Sequence, residues 1–231
     1  MKNLYNVLFD PRDVFISLSE MSWKPSIMPI ILTAIVGLGS MFVLHDLLVE
    51  AQLEQTEKFI TGNSKIPDDK KEEILYDSLE KIQHPSTSMK VIGYVSSTLA
   101  TPFRIMWMSF IVIMIGNFFF GGKSSYEKIM VMTSYTYMIA ILETFIKVPL
   151  MISQWRMNIS MGLGLLNIGE PGDFIYNFLN GMDLFALWRI CLLAIGMSVL
   201  YRQDVKPFFI ALMIYWILQT TFFSFIGSIF T

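Results

Sequence analysis

The chain is poor in the residues that do chemistry. It has one cysteine, Cys191, and two histidines, His45 and His84, in 231 residues. A lone cysteine excludes an intrachain disulfide, and in apolar surroundings it reads as a packing residue. Two histidines far apart in the chain give no zinc-ligand spacing. His45 beside Asp46, with Glu50 a turn later, is the one local arrangement that could touch a cation. No G-x-S-x-G or H-E-x-x-H occurs, and no paired-carboxylate motif with a defined geometry. Gly121-Gly122-Lys123-Ser124 lacks the G-x-x-x-x-G-K-[ST] spacing of a phosphate loop. Charge is scarce too: 16% of residues are charged and the net charge is −2, which gives no nucleic-acid footprint. The first 25 residues lack the apolar core of a cleavable signal.

What is abundant is apolar surface. Hydrophobic residues make up 54% of the chain, with 19 Phe and 17 Met. A soluble domain is typically ~45–50% apolar and ~25% charged. The methionines are scattered through the apolar runs and read as flexible packing, not soft-metal ligands. Several runs approach the ~18–20 apolar residues that cross a hydrocarbon core. A membrane barrel would need short alternating segments. The fold class is therefore all-α: a polytopic membrane protein of five transmembrane helices, with an extramembrane helical hairpin between the first two.

Residues 1–25 read as an interfacial segment. Asp10 is expected to cap a helix that has Pro11 at its first position, and Val14, Phe15, Leu18 and Met21 fall on one face. Trp23 and Lys24 are placed as interface anchors. The first span is expected over 26–44. The segment 45–90 holds ten acids and six lysines and reads as the hairpin, its charges forming a solvated face. Within it, 61–64 is expected to turn, Asp68 to cap the second helix, and Leu75, Leu79 and Ile82 to form a weakly apolar stripe. The second span is expected over 91–120, its first turns continuous with the hairpin and with Pro102 as a kink site. The third is expected over 128–150. A second connection covers 151–180; its apolar piece 161–168 is too short to span and reads as re-entrant or interfacial. The last two spans are expected over 183–201 and 207–230.

Orientation follows from Lys and Arg near the span ends. With the N-terminus inside, Lys2, Arg12, Lys24, Lys123, Lys128, Arg202 and Lys206 lie in short inner stretches. The outer stretches are far longer, and the acid-rich hairpin is among them. N-inside, C-outside is the better assignment. No inverted repeat is apparent, which weighs against a transporter built from repeat halves.

Five ionisable residues lie within or at the ends of spans: Arg104, Glu143, Lys147, Asp183 and Arg189. Counting from the inner ends at about 1.5 Å per residue puts Arg104 ~24 Å, Glu143 ~20 Å, Arg189 ~18 Å and Asp183 ~27 Å deep. Against a ~30 Å core all fall in the outer half. Glu143 and Lys147 are i, i+4. A lone charge at mid-membrane costs roughly 2.5–3.5 kcal/mol on insertion scales, so Arg189 calls for a partner, with Glu143 or Asp183 as candidate. Two readings stand: a polar pocket for an ion, a headgroup or a partner helix, or a pairing network that sets helix packing while Lys147 and Arg104 snorkel. Asp183 could also simply cap the fourth span.

Four stretches carry a family resemblance. They are Leu8-Phe9-Asp10-Pro11 with Phe15 and Trp23-Lys24-Pro25; Pro102 through Phe120-Gly121-Gly122-Lys123-Ser124-Ser125-Tyr126; Tyr135-Thr136-Tyr137-Met138; and Asp183, Leu184, Phe185, Trp188, Leu193 and Gly196. In this order they resemble the bacterial branch of the Yip (Ypt/Rab-interacting protein) domain family. One departure is that the family's proline after the third stretch is replaced by Ile139 or Ala140. The resemblance implies five spans with a cytosolic N-terminus and no enzymatic activity. Eukaryotic members are linked to membrane trafficking, small GTPases and vesicle formation; some bacterial ones resemble accessory proteins of ABC exporters. GTPase binding does not carry over to so short an N-terminal segment.

The expectation is a non-enzymatic scaffold or adaptor in the bacterial cytoplasmic (inner) membrane. It would work through lipid contacts and a membrane-protein partner or self-association, without cofactor or metal. The alternative is an accessory exporter subunit or small transporter that uses the outward polar cluster.

Overall fold

The computed structural model describes residues 2–63 and 65–229. Ser64, in the expected hairpin turn, and Phe230, the expected end of the last span, lie outside them. Among the described residues there are eleven α-helices, and no strand beyond one bridging pair, Gly162 with Asp183. Five helical stretches are long and apolar enough to cross a membrane: Lys24–Val43, Thr87–Phe119, Tyr126–Gln154, Leu184–Tyr201 and Val205–Ile229. The protein is an all-α polytopic membrane protein.

Spans 3 and 4 form the centre. Within an 18-residue apolar stretch of each, buried residues make up 56% of the third and 44% of the fourth, against 17% of the first and 11% of the fifth. Span 4 is α10 (Leu184–Tyr201). It packs on both halves of span 3, α7 (Tyr126–Thr136) and α8 (Ile139–Gln154), and on span 5, α11 (Val205–Ile229). Span 1, α3 (Ile27–Val43), lies against α8 and against span 2, α6 (Thr87–Ile113).

At the N-terminal side, α1 (Lys2–Phe9) leads directly into α2 (Pro11–Leu18). Pro11 holds the first helical position, but the Asp10 side chain makes no cap bond; its amide instead donates to the Asn6 carbonyl at 2.7 Å. Val14, Phe15 and Leu18 are buried, and α2 packs on α10 and α7. Its apolar face is therefore spent on the bundle end and not on lipid. Met21 lies beyond the helix and is exposed. Gly196 makes the docking possible: a Cβ there would collide with Met132 and come within 3.3 Å of the Phe15 ring.

On the opposite side, α4 (His45–Gly62) continues α3 past Leu44, with backbone bonds running through the junction. Leu44 itself departs from helical geometry, with φ of −95° and ψ of 11°, so α4, ~27 Å long, is a second helix joined to the end of α3. Thr61 and Gly62 remain helical, and the turn starts only at Asn63. The chain returns along α4 as α5 (Asp68–Gln83), with Leu75, Leu79 and Ile82 half-buried. Pro67, not Asp68, holds the N-cap position; Asp68 is the first helical residue and pairs with Lys71 at 2.8 Å. The hairpin is not continuous with span 2. His84 ends α5, and α6 starts afresh at Thr87, with the Ser86 side chain accepting from the Met89 amide.

Span 2 ends in a wide π-helical turn, Met114–Phe119. Span 3 starts at Tyr126 and breaks at Tyr137–Met138. The break needs no proline. The Ser134 and Thr136 hydroxyls bond back to the Val131 and Thr133 carbonyls at 2.7 Å and compete with the helical amides. Past them the bonds tighten to i, i+3, as from Met138 to Tyr135 and from Ala140 to Tyr137.

The second connection holds the piece expected to be re-entrant or interfacial. Leu163–Leu166 is a short 3-10 turn whose leucines 163, 165 and 166 are exposed. It is bonded through Leu163 to Met182 and through Met161 to Leu184. Gly162 is required there, because a Cβ would collide with the Met182 carbonyl. The helix α9 (Phe174–Gly181) follows and packs on α11. It was not anticipated, because eight residues give too short a period to stand out.

Candidate functional site

The five charges expected to gather sit in two layers. The outer layer is a triad. Lys147 Nζ donates to Glu143 Oε1 at 2.7 Å, one helical turn back, and to Asp183 Oδ2 at 2.9 Å, across to span 4. All three side chains are mostly buried, at 15%, 26% and 12% exposed. Asp183 does double duty: its Oδ1 accepts from the Phe185 amide at 2.8 Å and caps α10. Capping and pairing were alternatives in the sequence, and here one carboxylate does both. Lys147 also stands 5.7 Å from the centre of the Phe185 ring.

The second layer lies deeper and contains Arg189. Neither expected carboxylate reaches it. Its guanidinium sits over the Tyr137 ring, 5.0 Å from the centroid. Helix phase explains the correction. Arg189 follows Asp183 by six residues, which turns it ~120° away and moves it ~9 Å along the axis. Tyr137 precedes Glu143 by the same six residues on the antiparallel neighbour. The triad and the Arg–Tyr pair are thus successive rungs between spans 3 and 4. Arg104 is exposed on α6. Among the described residues, neither arginine is in an ion pair. Tyr137, at the break in span 3, is therefore the residue that Arg189 faces. The sequence placed it in the Tyr135-Thr136-Tyr137-Met138 stretch of the resemblance, but with no spacing that pairs it with Arg189.

The α2 end of the bundle carries a clasp that the sequence did not reveal. Asn117, in the π-helical turn, exchanges two bonds with the Ser124 backbone, at 3.0 and 3.1 Å, and accepts from the Tyr201 hydroxyl at 2.8 Å. Tyr201 ends span 4, so one amide locks spans 2 and 4 to the Gly121–Ser124 turn. Two glycines admit the tyrosine: a Cβ on Gly116 or Gly122 would collide with its ring. Gly121 supplies the positive φ of 64° that the turn requires.

The proposed cation contact at His45 is drawn otherwise. Glu50 accepts from the Trp155 indole and ties the hairpin to the end of span 3. Trp155 itself ends α8 in the left-handed conformation.

The sequence profile of the Yip1 domain matches residues 5–226, from α1 nearly to the end of α11. The chain belongs to the Yip1 domain family. No curated protein and no solved structure gives a significant match. In this Yip1 domain the stretches that carried the resemblance are structural joints. Phe15 and Gly196 meet at the α2–α10 contact, the glycine turn forms the clasp with Tyr201, Tyr137 marks the break in span 3, and Asp183 caps span 4.

Proposed function

We propose that the protein is a non-enzymatic membrane scaffold or adaptor of the Yip type, acting through helix and lipid contacts. The carrying observation is the Lys147 bridge. A mostly buried lysine engages two carboxylates at once and joins spans 3 and 4, which is a packing role. Spans 1 and 5 flank this centre with apolar faces turned outward. Ile27, Ile31 and Ile35 on α3 are exposed at i, i+4 spacing, as are Ile210, Ile214 and Leu218 on α11. Such faces suit lipid or the helix of a partner membrane protein.

The protein is assigned to the bacterial cytoplasmic membrane with its N-terminus inside and its C-terminus outside. The short stretches rich in Lys and Arg support this orientation. Reporter fusions at Ser64 and at the C-terminus should both read outside; a cytoplasmic signal at either sinks the assignment.

Crosslinking in native membranes, followed by purification in mild detergent, tests the scaffold. A membrane-protein partner or a self-associated form should be recovered, and a lone monomer argues against it. The accessory-subunit or transporter reading gains if the double variant Lys147→Met, Asp183→Asn accumulates normally yet loses function.

A further inference from the structure

At the end of the bundle closed by α2, two open clefts lie on either side of Arg202. The larger, about 710 Å³, is bordered by Arg12, Ile16, Arg202, Gln203, Asp204 and Pro207. The smaller, about 340 Å³, is bordered by Ser19, Glu20, Lys123, Ser124, Lys128 and Arg202. Four cations meet two carboxylates around them. Glu20 makes only a loose 3.6 Å contact with Lys128 and is itself 81% exposed. Among the described residues Arg12, Lys123 and Arg202 enter no ion pair.

We propose that these clefts hold the phosphate of an anionic phospholipid headgroup, with Arg202 as the shared wall that contacts it. Three observations converge. The first is charge: the lining carries a net excess of two positive groups gathered from α2, the glycine turn, α7 and the end of α10. The second is level. Spans 2, 3, 4 and 5 end or begin beside the clefts, at Phe119, Tyr126, Tyr201 and Val205, which is where headgroups lie. Basic pockets between span ends are the surfaces that take anionic headgroups.

The third is the backbone of Arg202. It caps α10 in the left-handed conformation, with φ of 54°, where glycine is the favoured residue. The backbone gains nothing from a side chain there. What arginine adds is a side chain at the border of both clefts that carries the planar fork matching phosphate oxygens. A general excess of inner lysines would orient the chain in the membrane, but it calls for neither this convergence nor a side chain at this backbone position. The clefts are open, not enclosing, and this suits a headgroup whose acyl chains continue down the outside of the spans.

The test uses the full chain in mild detergent and reads lipid binding by native mass spectrometry. Phosphatidylglycerol and phosphatidylcholine of identical acyl chains are compared, with inorganic phosphate as a third arm. Phosphatidylglycerol should bind in preference to phosphatidylcholine. Arg202→Gly should weaken phosphatidylglycerol binding about fivefold, the effect of one surface cation near an anionic membrane, while its lipid-free melting temperature holds or rises. Lys123→Gln, in the exposed turn, should weaken it similarly, and Lys58→Gln on the remote hairpin should not. Equal binding of the two lipids, or undiminished binding by Lys123→Gln, overturns the proposal even if Arg202→Gly fails to accumulate. Displacement of the lipid by millimolar inorganic phosphate would assign the clefts to a soluble anion and overturn the lipid assignment.

Discussion

The ammonium nitrogen of Lys147 lies 2.9 Å from Oδ2 of Asp183, thirty-six residues later, while the other oxygen of the same carboxylate caps α10. One side chain thereby sets both where span 4 begins and how it registers against span 3. Lys147→Met strands two mostly buried carboxylates, and removing one partner of a buried pair costs about 3 kcal/mol or more. The melting temperature in mild detergent should fall accordingly. Asp183→Asn should be milder than Asp183→Ala by about 1 kcal/mol, because asparagine still caps the helix.

Arg189 should behave differently from Lys147. It faces a ring and leaves no carboxylate behind when removed, so Arg189→Met forfeits a cation–π contact of about 0.5–2 kcal/mol at most. The variant should accumulate near wild-type levels in membranes. Loss as severe as that of Lys147→Met would show that Arg189 pairs with an acid after all.

The Asn117–Tyr201 clasp separates a hydrogen bond from a steric requirement. Tyr201→Phe removes the hydroxyl that Asn117 accepts and should cost about 1 kcal/mol, with Asn117 still held by Ser124. Gly122→Ala drives a methyl into the Tyr201 ring and should cost about 1–3 kcal/mol. Paired with Tyr201→Ala, the glycine substitution should lose most of its penalty, which a thermal-unfolding double-mutant cycle can read.

The hairpin is the pH-sensitive part outside the membrane. Hydrogen bonds from Lys58 and Lys71, reinforced by their charge, hold the Glu54 and Asp68 carboxyls below their ordinary values of 4.5 and 3.8. A depressed carboxylate stabilises the fold at pH above its unfolded value, and that contribution disappears as pH falls through the folded one. Both groups are fully exposed, so the effect is small and screened by salt. The protection of the α4 and α5 amides, measured against their intrinsic exchange rate at each pH, should therefore be steady from neutral pH down to about 4.5. Below that the protection should fall, while the spans remain protected.

How much of the site was legible follows from how each contact is encoded. Glu143 and Lys147 could be paired from sequence because i, i+4 on one helix is a local relation. Asp183 could be read as a cap because capping is local too. That the same Asp183 would take Lys147, and that Arg189 would turn to Tyr137, depends on the relative rotation of α8 and α10. No residue count along one helix contains that angle. Asn117 and Tyr201 escaped notice for the same reason: an amide and a phenol 84 positions apart carry no spacing that pairs them. The Gly121-Gly122 turn was visible, but the ring that makes Gly122 necessary was not.

Composition and hydropathy by themselves determined a helical membrane protein of five spans with a charged hairpin, because a bilayer admits only helices and closed barrels, and the long apolar runs suit helices whose backbone bonds are satisfied within each. The order of short motifs carried the family. Only the tertiary structure decided which spans form the centre, that α2 seals the bundle end through Phe15 and Gly196, and that five charges divide into two rungs. The physical reason is that burial within one helix is set by neighbouring residues, whereas the rotation and register between helices are set by where side chains such as Lys147, Met132 and Tyr201 find room.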